Sequence, residues 1–169
     1  MSEIVNRVAS SPLVTIDLEE LYPKDKVVVF DLKPFLFQEL ILREKEFRSS
    51  LKEVDWSEFD GKFVAVTCSS DAIIPSWAFM LVGTYLKGVA LDFVLGDESE
   101  AERSLIDHVI GEIEVDSFRD RPVIIKGCSQ LPHPLYAQGQ LLSKVMPSAR
   151  SVMYGEPCST VPLYKRPKK

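Results

Sequence analysis

The sequence predicts a single three-layer α/β domain, a mainly parallel sheet with antiparallel strands at its N-terminal side. Three observations predict it. From Lys62 onward, short β-type runs alternate with longer helix-type runs, the pattern of βαβ units. Near the N-terminus two strand-type runs, Leu13–Leu18 and Lys26–Leu32, lie too close for a long crossover, which suggests an antiparallel pair. The 169 residues are the size of one domain, and neither a low-complexity linker nor a composition shift marks a second.

The elements follow in order. Met1–Ser11 reads as a short amphipathic helix with Ile4, Val5 and Val8 on one face, ended before Pro12. Leu13–Leu18 alternates apolar and polar residues at the period of a half-buried strand, and Lys26–Leu32 is a valine-rich strand. Pro34 suits the first turn of a helix, where its missing N–H costs nothing, and a helical pattern starts at Phe35–Glu39. Near Ile41 that pattern is open to a bend or a short strand. Trp56, in the turn-rich stretch Asp55–Gly61, reads as a core anchor.

Strands are then expected at Phe63–Thr67, Val89–Leu95, Val123–Lys126 and Ser151–Tyr154. Helices are expected at Ser76–Leu86, Asp97–Ile113 and Leu135–Val145. The acids Asp97, Glu98 and Glu100 fall in the first turn of the second helix, where the helix dipole favours them.

Composition excludes several functions. Hydrophobic residues make up 46% and charged residues 27%, ordinary for a globular chain. A net charge of −5 argues against a nucleic-acid partner, which requires a basic footprint. The basic tail Lys165, Arg166, Lys168 and Lys169 reads as a solvated terminus. Glu3 and the lack of an apolar run argue against a signal peptide, and no stretch is long and apolar enough for a membrane span. A cytoplasmic location is expected, where cysteines are free thiols or metal ligands rather than disulfides.

The three cysteines carry the strongest chemical signal. Each is followed by serine, in CSSD at Cys68–Asp71, CSQ at Cys128–Gln130 and CST at Cys158–Thr160, and each follows an expected strand. Ligands in open α/β sheets bind outside the carboxyl ends of the strands. If those strands are neighbours, the thiols converge there and form a soft site for zinc or iron. Asp71, in the same loop as Cys68, is the preferred fourth ligand, ahead of His133 and Glu156. The expected metal site is therefore Cys68, Cys128, Cys158 and Asp71. One alternative is an enzyme with a cysteine nucleophile, Cys68 or Cys128, aided by a helix N-terminus and Lys126. Another is an interaction scaffold with buried thiols. Catalytic residues are not assignable, and CxxC, GxGxxG, P-loop, GxSxG and HExxH motifs are all lacking.

The stretches EIVNRVA at Glu3–Ala9, VTCSSDAIIPSWAFM at Val66–Met80, IIKGCS at Ile124–Ser129 and GEPCSTVPLYK at Gly155–Lys165 resemble a bacterial family designated domain of unknown function 2480. The resemblance spans nearly the whole chain and implies a small cytosolic bacterial protein without an assigned activity. It also implies a link to iron–sulfur cluster assembly proteins as partners, or to metal handling more broadly.

Overall fold

The computed structural model describes residues 13–127 and 130–167. The expected N-terminal helix, Cys128 and Ser129 lie outside the described residues. The chain divides into two compact units, Pro23–Leu105 and a second built from the segments on either side of it.

The unit Pro23–Leu105 holds three parallel strands in the order β2-β3-β4: β2 (Val27–Asp31), β3 (Phe63–Thr67) and β4 (Asp92–Leu95). β3 reads FVAVT without alternation because it is the central strand: Phe63, Val64, Ala65 and Val66 are all buried. Helices α2 (Glu44–Lys52) and α3 (Ser76–Leu86) provide the crossovers. Phe47 and Leu51, one helical turn apart on α2, join Phe30, Leu32, Val64, Val66, Ala78, Val82 and Leu86 in one core. Trp56 packs on this core as the sequence suggests. Its ring stacks at 5.3 Å from Phe30 and 4.8 Å from Tyr85, and its Nε1–H donates to the Leu51 carbonyl at 3.0 Å.

The other unit orders its strands β1-β5-β6-β7: β1 (Val14–Ile16), β5 (Pro122–Ile125), β6 (Ser151–Glu156) and β7 (Ser159–Lys165). The first three are parallel. β5 is buried at Val123, Ile124 and Ile125, and α5 (Pro134–Val145) buries Ala137, Leu141 and Val145, a stripe at four-residue spacing. α1 (Leu18–Leu21) follows β1, and α4 (Glu98–Gly111) carries the chain from one unit to the other.

The fold is therefore α/β with mostly parallel pairing. Two expectations are corrected. The strands lie in two sheets rather than one, and the antiparallel pair is C-terminal, not N-terminal: β1 pairs in parallel with β5, and β2 in parallel with β3. The local reason is Asp17. Its carboxylate accepts the Glu19 N–H at 3.0 Å and caps α1, so β1 leads into a helix instead of a tight turn. The antiparallel pair is β6 and β7, a hairpin turning through Pro157 and Cys158. Gly155 has φ +120°, and a Cβ there would lie 2.5 Å from the Ser159 carbonyl oxygen, so the turn requires glycine. The helix expected from Phe35 is also replaced. Pro34 sits in a single 3₁₀ turn, Lys33–Phe35, and the chain then reverses between Phe37 and Ile41 through Gln38 and Glu39, both at positive φ.

Among the described residues, no helix is long and apolar enough to cross a membrane.

Candidate functional site

The strongest candidate site is the CSSD loop that leaves β3. Strand register places Asp31, the last residue of β2, opposite Thr67, the last of β3. The Asp31 carboxylate thus reaches the loop, where it accepts the N–H of Ser69 at 2.9 Å and the Ser69 hydroxyl. It also accepts the Lys33 N–H at 2.9 Å. Burial pushes the Asp31 carboxyl up, but the Ser69 hydroxyl, the two N–H groups and the Lys33 charge outweigh it, and the balance lies below the ordinary 3.8. At neutral pH it is a carboxylate anchoring three donors.

A second anchor holds the loop from the other side. The Ser70 hydroxyl donates to the Glu39 carbonyl. That carbonyl belongs to the reversal at Gln38 (φ 52°) and Glu39 (φ 58°), left-handed conformations that residues with a Cβ adopt at a cost. The Glu39 carboxylate pairs with Lys33 Nζ at 3.2 Å. The Cys68 thiol donates to the Ser70 carbonyl at 4.0 Å.

Beside this loop, at the carboxyl ends of β3 and β4, lies an open depression of about 590 Å³. Its polar groups are Thr67, Cys68, Ser70, Ser76 and Asp97, and its apolar wall is built by Ile74, Phe79, Met80 and Leu95. Met80 and Leu95 keep about half their surface exposed. Asp97 and Glu100 form a reciprocal capping box at the start of α4, each side chain accepting the other's backbone N–H at 3.0 Å. The location matches the rule for ligands in parallel sheets.

Of the four expected metal ligands, the structure places Cys68, half-buried, and Asp71, exposed, in this loop. Cys158 is exposed in the β6–β7 turn of the other unit, and Cys128 lies outside the described residues. The reading of the chain as a metal-binding protein is overturned: among the described residues, no group of three or more His, Cys, Asp or Glu side chains is placed to hold a metal ion. Its premise was one sheet edge. Instead β3 belongs to one sheet while β5 and β6 belong to another.

The other fourth-ligand candidates are engaged elsewhere. Glu156 lies 4.0 Å from Lys126 Nζ, and His133 is the residue before α5, at φ 52°. The alternatives fare no better. Lys126 donates to Asp17 Oδ2 at 2.6 Å, a bond that lowers the Asp17 pKa and raises that of Lys126, so its charge is spent on a carboxylate rather than on a thiol. Cys68 hydrogen-bonds a carbonyl rather than a base. Neither Cys68 nor Cys158 is the buried thiol that a scaffold reading expects.

Sequence reasoning missed Asp31, the Gln38–Glu39 reversal and the wall residue Leu95. One signal was present: a carboxylate ending the otherwise apolar run VVVFD.

A family model described as protein of unknown function (DUF2480) matches residues 2–166. The chain belongs to that family. No curated protein and no solved structure matches it. Family membership names no ligand or reaction, so the reading of this member rests on its geometry.

Proposed function

We propose that the chain is a binding protein for a small, largely apolar molecule, taken up in the depression beside the CSSD loop. The observation that supports this reading is the anchoring of the loop. Asp31 and the Glu39 carbonyl fix Ser69 and Ser70 from two sides, next to an apolar wall that is left uncovered. Fixed polar groups at the rim of an apolar concavity are the usual composition of a ligand pocket, and 590 Å³ falls within the usual ~300–1,000 Å³.

The lining also bears on the class of ligand. Its one ionisable carboxylate is Asp97, and no Lys or Arg lines it. A neutral or singly cationic molecule suits that balance, with donors and acceptors for the Thr67, Ser70 and Ser76 hydroxyls. An anion would meet only like charge.

Filling the depression tests this. Ala72 lines it and is half-buried in the loop. A library of neutral and monocationic aromatic fragments should raise the melting temperature of the wild type, and Ala72→Phe should abolish that rise while melting normally on its own. Equal stabilisation of both proteins would overturn the proposal.

A further inference from the structure

A groove of about 480 Å³ lies in the other unit, beside α5. Its wall is one side of that helix, with Leu135, Gly139 and Leu142, and its floor is Ile125, Tyr154 and Leu163 from β5, β6 and β7. No charged residue lines it. Leu135 is 84% exposed and Leu163 51%. Val161, the register partner of Tyr154, is also exposed beside the floor.

The topology explains why this face is bare. α5 crosses over from β5 to the parallel β6 and covers the sheet between them. β6 and β7 are joined by a hairpin, which brings no crossover helix to lie next to α5. On its other side α5 meets α4: the Tyr136 hydroxyl donates to Asp107 Oδ2 at 2.7 Å, and Lys144 to the Gly111 carbonyl at 3.1 Å. On the groove side a Cβ added at Gly139 would meet nothing within 4 Å, so a second helix could approach the α5 backbone closely there.

We propose that the chain's own N-terminal segment fills this groove as a helix over residues 3–9. Residues 1–12 lie outside the described residues and belong to the same unit. At helical spacing Ile4, Val5 and Val8 share one uncharged face, as an uncharged groove requires. Glu3 and Arg7 fall on the opposite face, four residues apart, where they attract each other. The lengths agree: a helix over residues 3–9 and the α5 wall from Leu135 to Leu142 each run about 10 Å. The direction agrees too. α5 returns the chain to the amino ends of the parallel strands, and β1, parallel to β5, starts at those ends. A helix that lies in the groove and leads into β1 therefore runs alongside α5 in the same sense. Only β5 separates β1 from β6, a distance of about 10 Å. Residues 9–12, extended ahead of β1, span about 13 Å, enough to pass round the C-terminal end of α5.

Nuclear Overhauser effects in the full chain, labelled at isoleucine, leucine and valine methyls, test this directly. Val5 and Val8 should show cross-peaks to Leu142 and Leu163. In a mixture of chains labelled only at valine with chains labelled only at leucine, those cross-peaks should vanish. Their persistence would place the segment of a second copy in the groove and overturn the proposal. Val8→Asp should shift the Leu142 and Leu163 signals, while Leu51 and Leu86 of the other unit stay in place and report that the variant folds. Arg7→Gln, on the far face, should shift neither groove signal. Val5 and Val8 cross-peaks that are absent or lead elsewhere would leave the groove to a separate partner and overturn the assignment, as would groove signals indifferent to Val8→Asp.

Discussion

Asp31 shows how one side chain organises the candidate site. It ties the end of β2 to the loop leaving β3 through Ser69. Asn at this position keeps one acceptor but meets a donor with an NH₂ group. Asp31→Asn should therefore cost about 1 kcal/mol at pH 7, since hydrogen bonds to charged groups are worth ~1.5–3 kcal/mol when fully formed and this group is partly exposed. In a chain of this size that corresponds to roughly 2–4 °C in melting temperature. The sign of the pH dependence follows from the lowered pKa. The folded chain holds the carboxylate ionised below the ordinary 3.8, so the unfolded chain takes up the proton first. The stabilisation is complete above that value and lost as pH falls through the lower folded pKa. Melting curves from pH 7 to pH 3 should show the wild-type advantage shrinking in the acid range, and an advantage that held or grew at pH 3 would contradict the role given to Asp31.

The same residue marks a limit of sequence reading. Cys68 and Asp71 were legible as loop residues because they follow an obvious strand. Asp31 was not, because its role depends on β2 pairing with β3 in one particular register. Asp31 opposes Thr67 across 36 positions of sequence, and no local pattern encodes that.

Elements were read best where the signal is local. α3 spans the expected Ser76–Leu86, and α4 begins with the acids that the sequence marks. β7 was missed because Pro162 interrupts its run. As an edge strand with one side unpaired in the sheet order, β7 tolerates a residue without an N–H. The helix expected from Phe35 does not form, and the reversal that replaces it went unread because Gln38 and Glu39 carry no glycine or asparagine to announce a left-handed conformation.

One glycine was read only as part of an apolar helix. Gly83 is buried on α3, and a Cβ there would lie 2.7 Å and 2.9 Å from ring atoms of Phe93 on β4. Alanine would gain about 0.8–1 kcal/mol of helix propensity. Against this, overpacking costs roughly 1–3 kcal/mol. Gly83→Ala should therefore destabilise by about 1 kcal/mol net in chemical denaturation, and a more stable variant would show that the packing of α3 on β4 is looser than described.

At the scale of the molecule, the α/β class was legible because alternation of strand and helix is periodic in the sequence. The division into two sheets was not. It depends on β1 choosing β5, more than 100 residues away, over the nearby β2. The thiol argument failed at the same point. Its local premise, that a cysteine follows a strand, holds for Cys68, but the one shared sheet edge on which convergence relied does not exist.

The central claim is that the depression beside the CSSD loop is a binding site. The methionine methyls give the most direct test. Met80 lines the depression, whereas Met146 and Met153 belong to the other unit. In a methyl-labelled sample titrated with neutral aromatic fragments, the Met80 signal should shift in a saturable way while those of Met146 and Met153 stay in place. A Met80 signal that never moves, or that moves only together with the other two, would contradict the account.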